Sequence, residues 1–179
     1  MANVLIAFAT TQGQTRKIAD HVGARLRSLG HAPSLWDTAK PEPAPLAPNG
    51  VMLMGSLHAG KYQQALAEQA RKHASSWAAM PVAFVSVSLS AASLNAKEGE
   101  ELRKISDRFL ADAGINAALI HHAAGAVRDS ELNWLIRWIL HQIARQHGAA
   151  LDPSGDTEFT DWVALDDFVD RYAKTLPRP

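Results

Sequence analysis

The stretch NVLIAFATTQGQTRKI, residues 3–18, decides the fold, because an apolar run passes into a helical pattern through a turn rich in hydroxyl groups. Residues 3–9 are almost continuously apolar, which predicts a strand buried on both faces of a sheet. A helix is predicted over 15–29 and stops at Gly30, because apolar residues recur there at helical spacing: Ile18, Val22, Leu26 and Leu29.

The same alternation of apolar runs and helical patterns continues along the chain. Further strands are predicted at 32–36, 51–55, 81–88 and 115–125. Further helices are predicted at 62–78, 97–113, 131–147 and from Thr160 or Asp161 to about Tyr172. This rhythm predicts an α/β fold, a flavodoxin-like doubly wound sheet of five parallel strands in the order 2-1-3-4-5. The helix at 131–147 is then an added segment after the fifth strand.

Composition narrows the possible functions. The chain has 179 residues, 47% hydrophobic and 20% charged, which suits a single globular domain over 1–179. Its formal net charge is zero, so no global field attracts nucleic acid. The absence of cysteine excludes disulfides, thiolate catalysis and cysteine-ligated metal centres. We expect neither a signal peptide nor a membrane-spanning helix, because no apolar stretch is long enough.

The predicted topology locates a ligand site before any motif is considered. In doubly wound sheets, ligands bind beyond the carboxyl ends of the strands, where the strand order reverses. Here that position lies between strands 1 and 3. Three loops should therefore line the site, at 10–15, 56–62 and 88–95. A receiver domain shares this topology, but it needs acidic residues where this chain has Ala9-Thr10 and Gly55-Ser56.

The first loop has the chemistry of an anion site. Unpaired N–H groups and the helix dipole favour an anion at the start of a helix, and Gly13 lets the backbone approach closely. The loop has no lysine and lacks the three-glycine dinucleotide pattern, so it is not a P-loop or a dinucleotide motif. Alternatively, a side chain such as Gln14 simply caps the helix. A site here would hold a monophosphate through Thr10, Thr11, Gln12, Gly13, Gln14 and Thr15.

The other two loops could surround a flat ligand. Tyr62 offers a ring for stacking, although it could equally be an ordinary residue in the first turn of a helix. The third loop is small and polar, so its backbone could bond the edge of a planar heterocycle, unless it is only a serine-rich connector. The candidate residues in these loops are Ser56, Leu57, His58, Ala59, Gly60 and Tyr62, with Ser88, Leu89, Ser90 and Ala91.

These motifs are similar to those of a known family. Over nearly its whole length, the chain resembles the flavodoxin-like, quinone-dependent protoporphyrinogen dehydrogenases (protoporphyrinogen oxidases) of bacteria. The likeness is carried by GQTRKIA (13–19), MGSLHAGKYQQA (54–65), KHASSWAAMPVAFVSVSL (72–89), GAVRDSELNWLIRWIL (125–140) and DTEFTDW (156–162).

The resemblance implies an enzyme with FMN as its cofactor. The phosphate would be held by the first turn, and the ring by the two later loops. It implies oxidation of protoporphyrinogen IX to protoporphyrin IX in heme biosynthesis, with electrons passed to a membrane quinone. It also implies a cytoplasmic protein that is peripheral on the cytoplasmic face of the inner membrane. The alternatives are a generic flavodoxin-type electron carrier or quinone reductase, and a flavodoxin-fold binding protein without a cofactor.

The predicted helix at 131–147 has an unusual polar face. Two tryptophans four residues apart are interleaved there with cationic groups and no carboxylate, which suits a lipid headgroup region or a porphyrin. Alternatively, the tryptophans pack beneath the loop at 148–159. No metal site is expected, because the eight histidines show no convergent ligand spacing. The substrate or membrane face so predicted consists of Trp134, Arg137, Trp138, His141 and Arg145.

Overall fold

The sheet has the predicted architecture. The structure is a computed structural model that describes residues 1–45, 47–92, 96–127 and 157–177. Five parallel strands lie in the order β2-β1-β3-β4-β5, which confirms the predicted fold class. The strands are β1 (Asn3–Ala9), β2 (Ala32–Asp37), β3 (Gly50–Ser56), β4 (Val82–Ser88) and β5 (Leu119–Ala124).

Helices connect these strands close to the predicted positions. The one clear difference is at β5, which begins at Leu119 rather than residue 115. The chain leaves the preceding helix through Gly114 (φ +69°), and Ile115 is still hydrogen-bonded back to the helix, so neither joins the sheet. The helices are α1 (Gln14–Ser28), α2 (Gln64–Trp77), α3 (Ala96–Ala113) and α4 (Trp162–Ala173).

Two small elements were not predicted. A 3-10 helix, Leu89–Ala92, follows β4 directly. An antiparallel ribbon pairs β6 (Ala126–Val127) with β7 (Thr157–Glu158). The helix predicted at 131–147 lies outside the described residues. None of the helices within the described ranges combines the length and apolarity needed to cross a bilayer.

Helices cover both faces of the sheet because β1 is apolar on both. Val4, Ile6 and Phe8 pack on the face covered by α1 and α4. Leu5 and Ala7 alternate with them and pack on the face covered by α2 and α3. All five are 2% exposed or less, so this central strand has no room for a polar side chain before its carboxyl end.

The ends of α1 and α4 follow from local sequence. Gly30 has φ +82° and its N–H bonds the carbonyl of Arg27, while His31 N–H reaches Leu26, which is a Schellman ending. Asp161 begins α4, because its carboxylate accepts from Ala164 N–H at 2.9 Å. Of the two predicted caps, it is therefore Asp161 that caps this helix.

A ladder of three side-chain pairs joins α1 to the segment that contains β7 and α4. Lys17 bonds Glu158 at 3.0 Å, His21 bonds Asp166 at 2.8 Å, and Arg25 bonds Asp170 at 2.7 Å. The residues on α1 are four apart and so share one helix face. The ladder runs along the outer edge of the contact between α1 and α4, above the core that the two helices share.

Close packing beneath the ligand loops depends on one glycine. A Cβ at Gly55 would lie 2.7 Å from Leu66 Cδ2 and 2.9 Å from Tyr62 Cδ1. The end of β3 can therefore lie against the start of α2 only without a side chain at this position. Gly99 provides the contrast, because a Cβ there meets nothing within 4 Å.

We expect Gly55→Ala to lower the free energy of unfolding by about 1–3 kcal/mol, because the added methyl group overpacks the core. Gly99→Ala, within α3, should raise it by about 0.5–1 kcal/mol through reduced backbone entropy. Urea unfolding of both variants beside the parent measures the difference. Equal stabilities for the two variants would contradict the packing of Tyr62 and Leu66 against Gly55.

Candidate functional site

A cleft of about 450 Å³ lies beyond the carboxyl ends of the parallel strands, where the topology predicts a ligand site. All three predicted loops contribute to it. The structure brings together eleven of the predicted residues as its lining: Gln12, Gln14, Thr15, Ser56, Leu57, His58, Ala59, Gly60, Ser88, Leu89 and Ser90.

The first loop leaves the start of α1 free of side-chain caps. Gly13 is the N-cap residue, with φ +93°, and no side chain of the described residues bonds the first-turn N–H groups. Thr10 instead accepts from the N–H of Gly13 at 2.9 Å, which closes the turn before the helix begins. The side chain of Gln14 does not cap the helix either, because its amide nitrogen donates to Glu158 and Thr160. The alternative that this turn merely caps a helix does not fit these contacts.

Thr15 is the most informative residue of this turn. Its side chain is 1% exposed, yet within the described ranges its hydroxyl oxygen has no hydrogen-bond partner. Buried hydroxyls are nearly always bonded, so an orphan at the edge of a cleft points to a missing partner. The positive end of the α1 dipole lies at the same place and favours an anion.

The second loop is a tight hairpin. His58 and Lys61 exchange backbone hydrogen bonds of 2.9 Å and 3.0 Å. The two residues between them, Ala59 and Gly60, have φ +47° and +76°, the pattern of a two-residue hairpin turn. A non-glycine residue in this conformation is strained, so the turn is held by its surroundings. Three residues of this hairpin, His58, Ala59 and Gly60, line the cleft.

Tyr62 requires a correction, because its position does not fit the predicted stacking role. Its ring lies in the core, 4.7 Å from the ring of Phe109 and 5.2 Å from that of Phe84. Its hydroxyl bonds Ser86 at 2.7 Å and Ser106 at 2.9 Å. Burial raises the pKa of Tyr62, against the opposing effect of these two hydrogen bonds. Tyr62 supports the floor of the site without lining the cleft.

The third loop is a structured turn. Ser88 accepts a hydrogen bond from Ala91 N–H at 3.2 Å, which closes the 3-10 helix. Its carbonyl accepts from Gly125 N–H at 3.0 Å, so the loop is tied to the end of β5. Ala91 faces this internal bond and does not line the cleft, whereas Ser88 and Ser90 do.

Two lining residues were missed by the sequence analysis, and several predicted ones lie elsewhere. Val87 and Gly125 line the cleft. Gly125 could have been found, because it directly follows the fifth parallel strand at the same edge of the sheet. The tryptophan-rich face, comprising Trp134, Arg137, Trp138, His141 and Arg145, lies outside the described residues. Around the cleft but not lining it are Thr10, Thr11, Gly13, Tyr62 and Ala91.

The described lining carries no carboxylate. Glu158 bonds Gln14, a residue of the lining, at 2.7 Å and Lys17 at 3.0 Å. Burial raises the pKa of Glu158, but the hydrogen bonds from Gln14 and Lys17 outweigh it and hold the pKa below its ordinary value. The site can therefore bind an anion through uncharged hydrogen-bond donors and the N-terminus of α1. The small side chains that line the cleft leave room for a flat ring.

Comparison with known proteins agrees with this geometry. A family model described as "Flavodoxin domain" matches residues 5–154. The chain is 28% identical over 176 residues to a protein from Escherichia coli named protoporphyrinogen IX dehydrogenase [quinone], covering 98% of this chain and 97% of that protein.

Solved structures share the fold at low sequence identity. Oxidised Flavodoxin 2 from Bacillus cereus superposes with a TM-score of 0.51 at 18% identity, covering 97% of this chain and 99% of that one. A flavodoxin variant from Fusobacterium nucleatum, solved bound to flavin mononucleotide, gives 0.50 at 10% identity, covering 98% and 95%.

We expect Tyr62→Phe to lower the free energy of unfolding by about 1–3 kcal/mol, because Ser86 and Ser106 lose a buried partner. The raised pKa of Tyr62 also stabilises the parent below about pH 10, and that contribution is lost as pH rises toward the folded-state pKa. In urea unfolding from about pH 7 to about pH 11, the free energy of unfolding should therefore fall less for the variant than for the parent. The variant should still lose some stability at alkaline pH, because burial also raises the pKa of Tyr172. Unchanged stability would place the hydroxyl outside the core.

Proposed function

Because the chain belongs to the flavodoxin domain family, we propose that it is an FMN-dependent oxidoreductase that converts protoporphyrinogen IX to protoporphyrin IX and passes the electrons to a membrane quinone. The isoalloxazine ring of FMN, when bound, supplies the redox chemistry, so no side chain need act as a general base. The residues of this chain bind the cofactor, orient it and surround it.

The observation that carries the proposal is the unpartnered Thr15 hydroxyl at the uncapped start of α1. A phosphate monoester is an acceptor of the right kind, since it can take that hydroxyl together with the first-turn N–H groups. In this assignment the turn from Thr10 to Thr15 holds the phosphate. The loops at 56–60 and 88–91 border the ring, and Tyr62 supports them from the core.

The substrate and the electron acceptor are inferred from the relative from Escherichia coli, because its name includes both. This chain matches that protein over nearly its whole length. A lining without carboxylates among the described residues is consistent with a flavin that is readily reduced, because a nearby negative charge would disfavour reduction. Association with the membrane surface belongs to the same proposal. It rests on the sequence of 131–147, where tryptophan and arginine suit an interface.

The direct test is anaerobic spectroscopy of the purified protein. We expect a yellow protein whose flavin absorption is bleached by protoporphyrinogen IX and restored by a soluble quinone, with protoporphyrin fluorescence appearing in parallel. A bound flavin that protoporphyrinogen fails to reduce would favour the electron carrier or quinone reductase. A colourless protein that takes up no added FMN would favour a binding protein without a cofactor.

Thr15→Val tests the phosphate assignment, because we expect different effects on the stability of the apoprotein and on its affinity for FMN. The apoprotein should be as stable as the parent or more so, because an unsatisfied buried hydroxyl is removed. FMN binding should weaken by about 1.5–3 kcal/mol, because the lost bond is to a charged acceptor. Quenching of flavin fluorescence measures the affinity, and riboflavin, which lacks the phosphate, is the control ligand. An unchanged affinity for FMN would remove Thr15 from the site.

A further inference from the structure

Gln63 joins two of the loops that form the cleft. It is the N-cap residue of α2, but its side chain makes no capping bond. Its amide Nε2 instead donates to Thr11 Oγ1 at 3.1 Å and also to Ser56 Oγ. One amide nitrogen thus connects the turn after β1 with the end of β3.

These contacts determine the direction of the hydrogen bond that Ser56 can make. A hydroxyl has one hydrogen, and an amide N–H can bond only its oxygen. Because Gln63 already donates to the oxygen, the hydrogen of Ser56 is available to another acceptor. Ser56 lines the cleft, and among the described residues its hydroxyl donates to no protein acceptor. The Ser56 hydroxyl can therefore donate its hydrogen to a ligand in the cleft.

The contacts of Gln63 do not favour the stability of the folded protein by themselves. The other amide atom of Gln63, Oε1, is buried and has no partner in the described part of the chain. A buried acceptor without a partner destabilises a folded protein, and such groups in native structures call for an explanation. The neighbouring Gln64 shows the ordinary case, since its amide bonds the exposed Glu68 one helical turn away.

We propose that Gln63 is a positioning residue for the flavin site. Its amide holds the phosphate-binding turn against the end of β3 and leaves the Ser56 hydroxyl as a donor to an acceptor atom of the flavin nucleotide. This inference rests on the proposed binding of FMN and names a residue that acts on the cofactor through two others. It predicts that ligand affinity and apoprotein stability respond to Gln63 in different directions.

The test compares FMN affinity and thermal unfolding of apoproteins. Gln63→Met keeps the length of the side chain and removes both polar atoms, so the dissociation constant for FMN should rise about 3- to 10-fold. The melting temperature of its apoprotein should equal or exceed that of the parent. Gln63→Glu should weaken FMN binding at least as much, because a carboxylate can only accept and would draw the Ser56 and Thr11 hydroxyls toward itself. Gln64→Met is the matched control and should bind FMN as the parent does.

A double-mutant cycle with Ser56→Ala separates positioning from general packing. If Gln63 acts in part through Ser56, Gln63→Met should weaken FMN binding less in the Ser56→Ala background than in the parent. Additive losses, an unchanged affinity in Gln63→Met, or parallel losses of affinity and melting temperature would overturn this inference alone. Gln63→Glu keeps the size and polarity of the side chain, so the test does not depend on the methionine variant folding. If the parent binds no FMN, the proposed function fails and this inference fails with it.

Discussion

Burial of β1 on both faces is the constraint from which the site follows. From Val4 to Ala9 every residue is buried, so the strand can carry no polar group until it leaves the sheet. Its neighbour β3, and β4 on the far side of β3, run parallel to it and leave at the same edge. Three polar loops must therefore meet there. The uncapped start of α1 gives that meeting point the electrostatic character of an anion site.

The order of elements and the loops of the cleft could be predicted because both follow from local periodicity and from a rule of sheet topology. Tyr62 shows where that reasoning stops. A tyrosine at the start of a helix looks the same in sequence whether it faces a cleft or the core. The packing against Gly55 and the bonds to Ser86 and Ser106 decide its direction, and no local pattern connects these positions.

Other features were hidden for the same physical reason. The ribbon of β6 and β7 has two residues in each strand, too few to show any period. Gln63 is one of two consecutive glutamines, and only the approach of two distant loops distinguishes it from Gln64. The orphan hydroxyl of Thr15 is likewise visible only once burial is known. Such features are where a binding site departs from the rules that build the fold.

The contact between α1 and α4 has a consequence for how the chain is made. His21 and Arg25 meet partners 145 residues further along the sequence. The core beneath them, including Ile18 and Val22 with Phe168 and Tyr172, is completed by the same late helix. At about 5–20 residues per second of synthesis, the part of this core that α4 covers stays open on the ribosome for on the order of ten seconds. Until α4 emerges, the nascent chain therefore exposes apolar residues of this core to solvent.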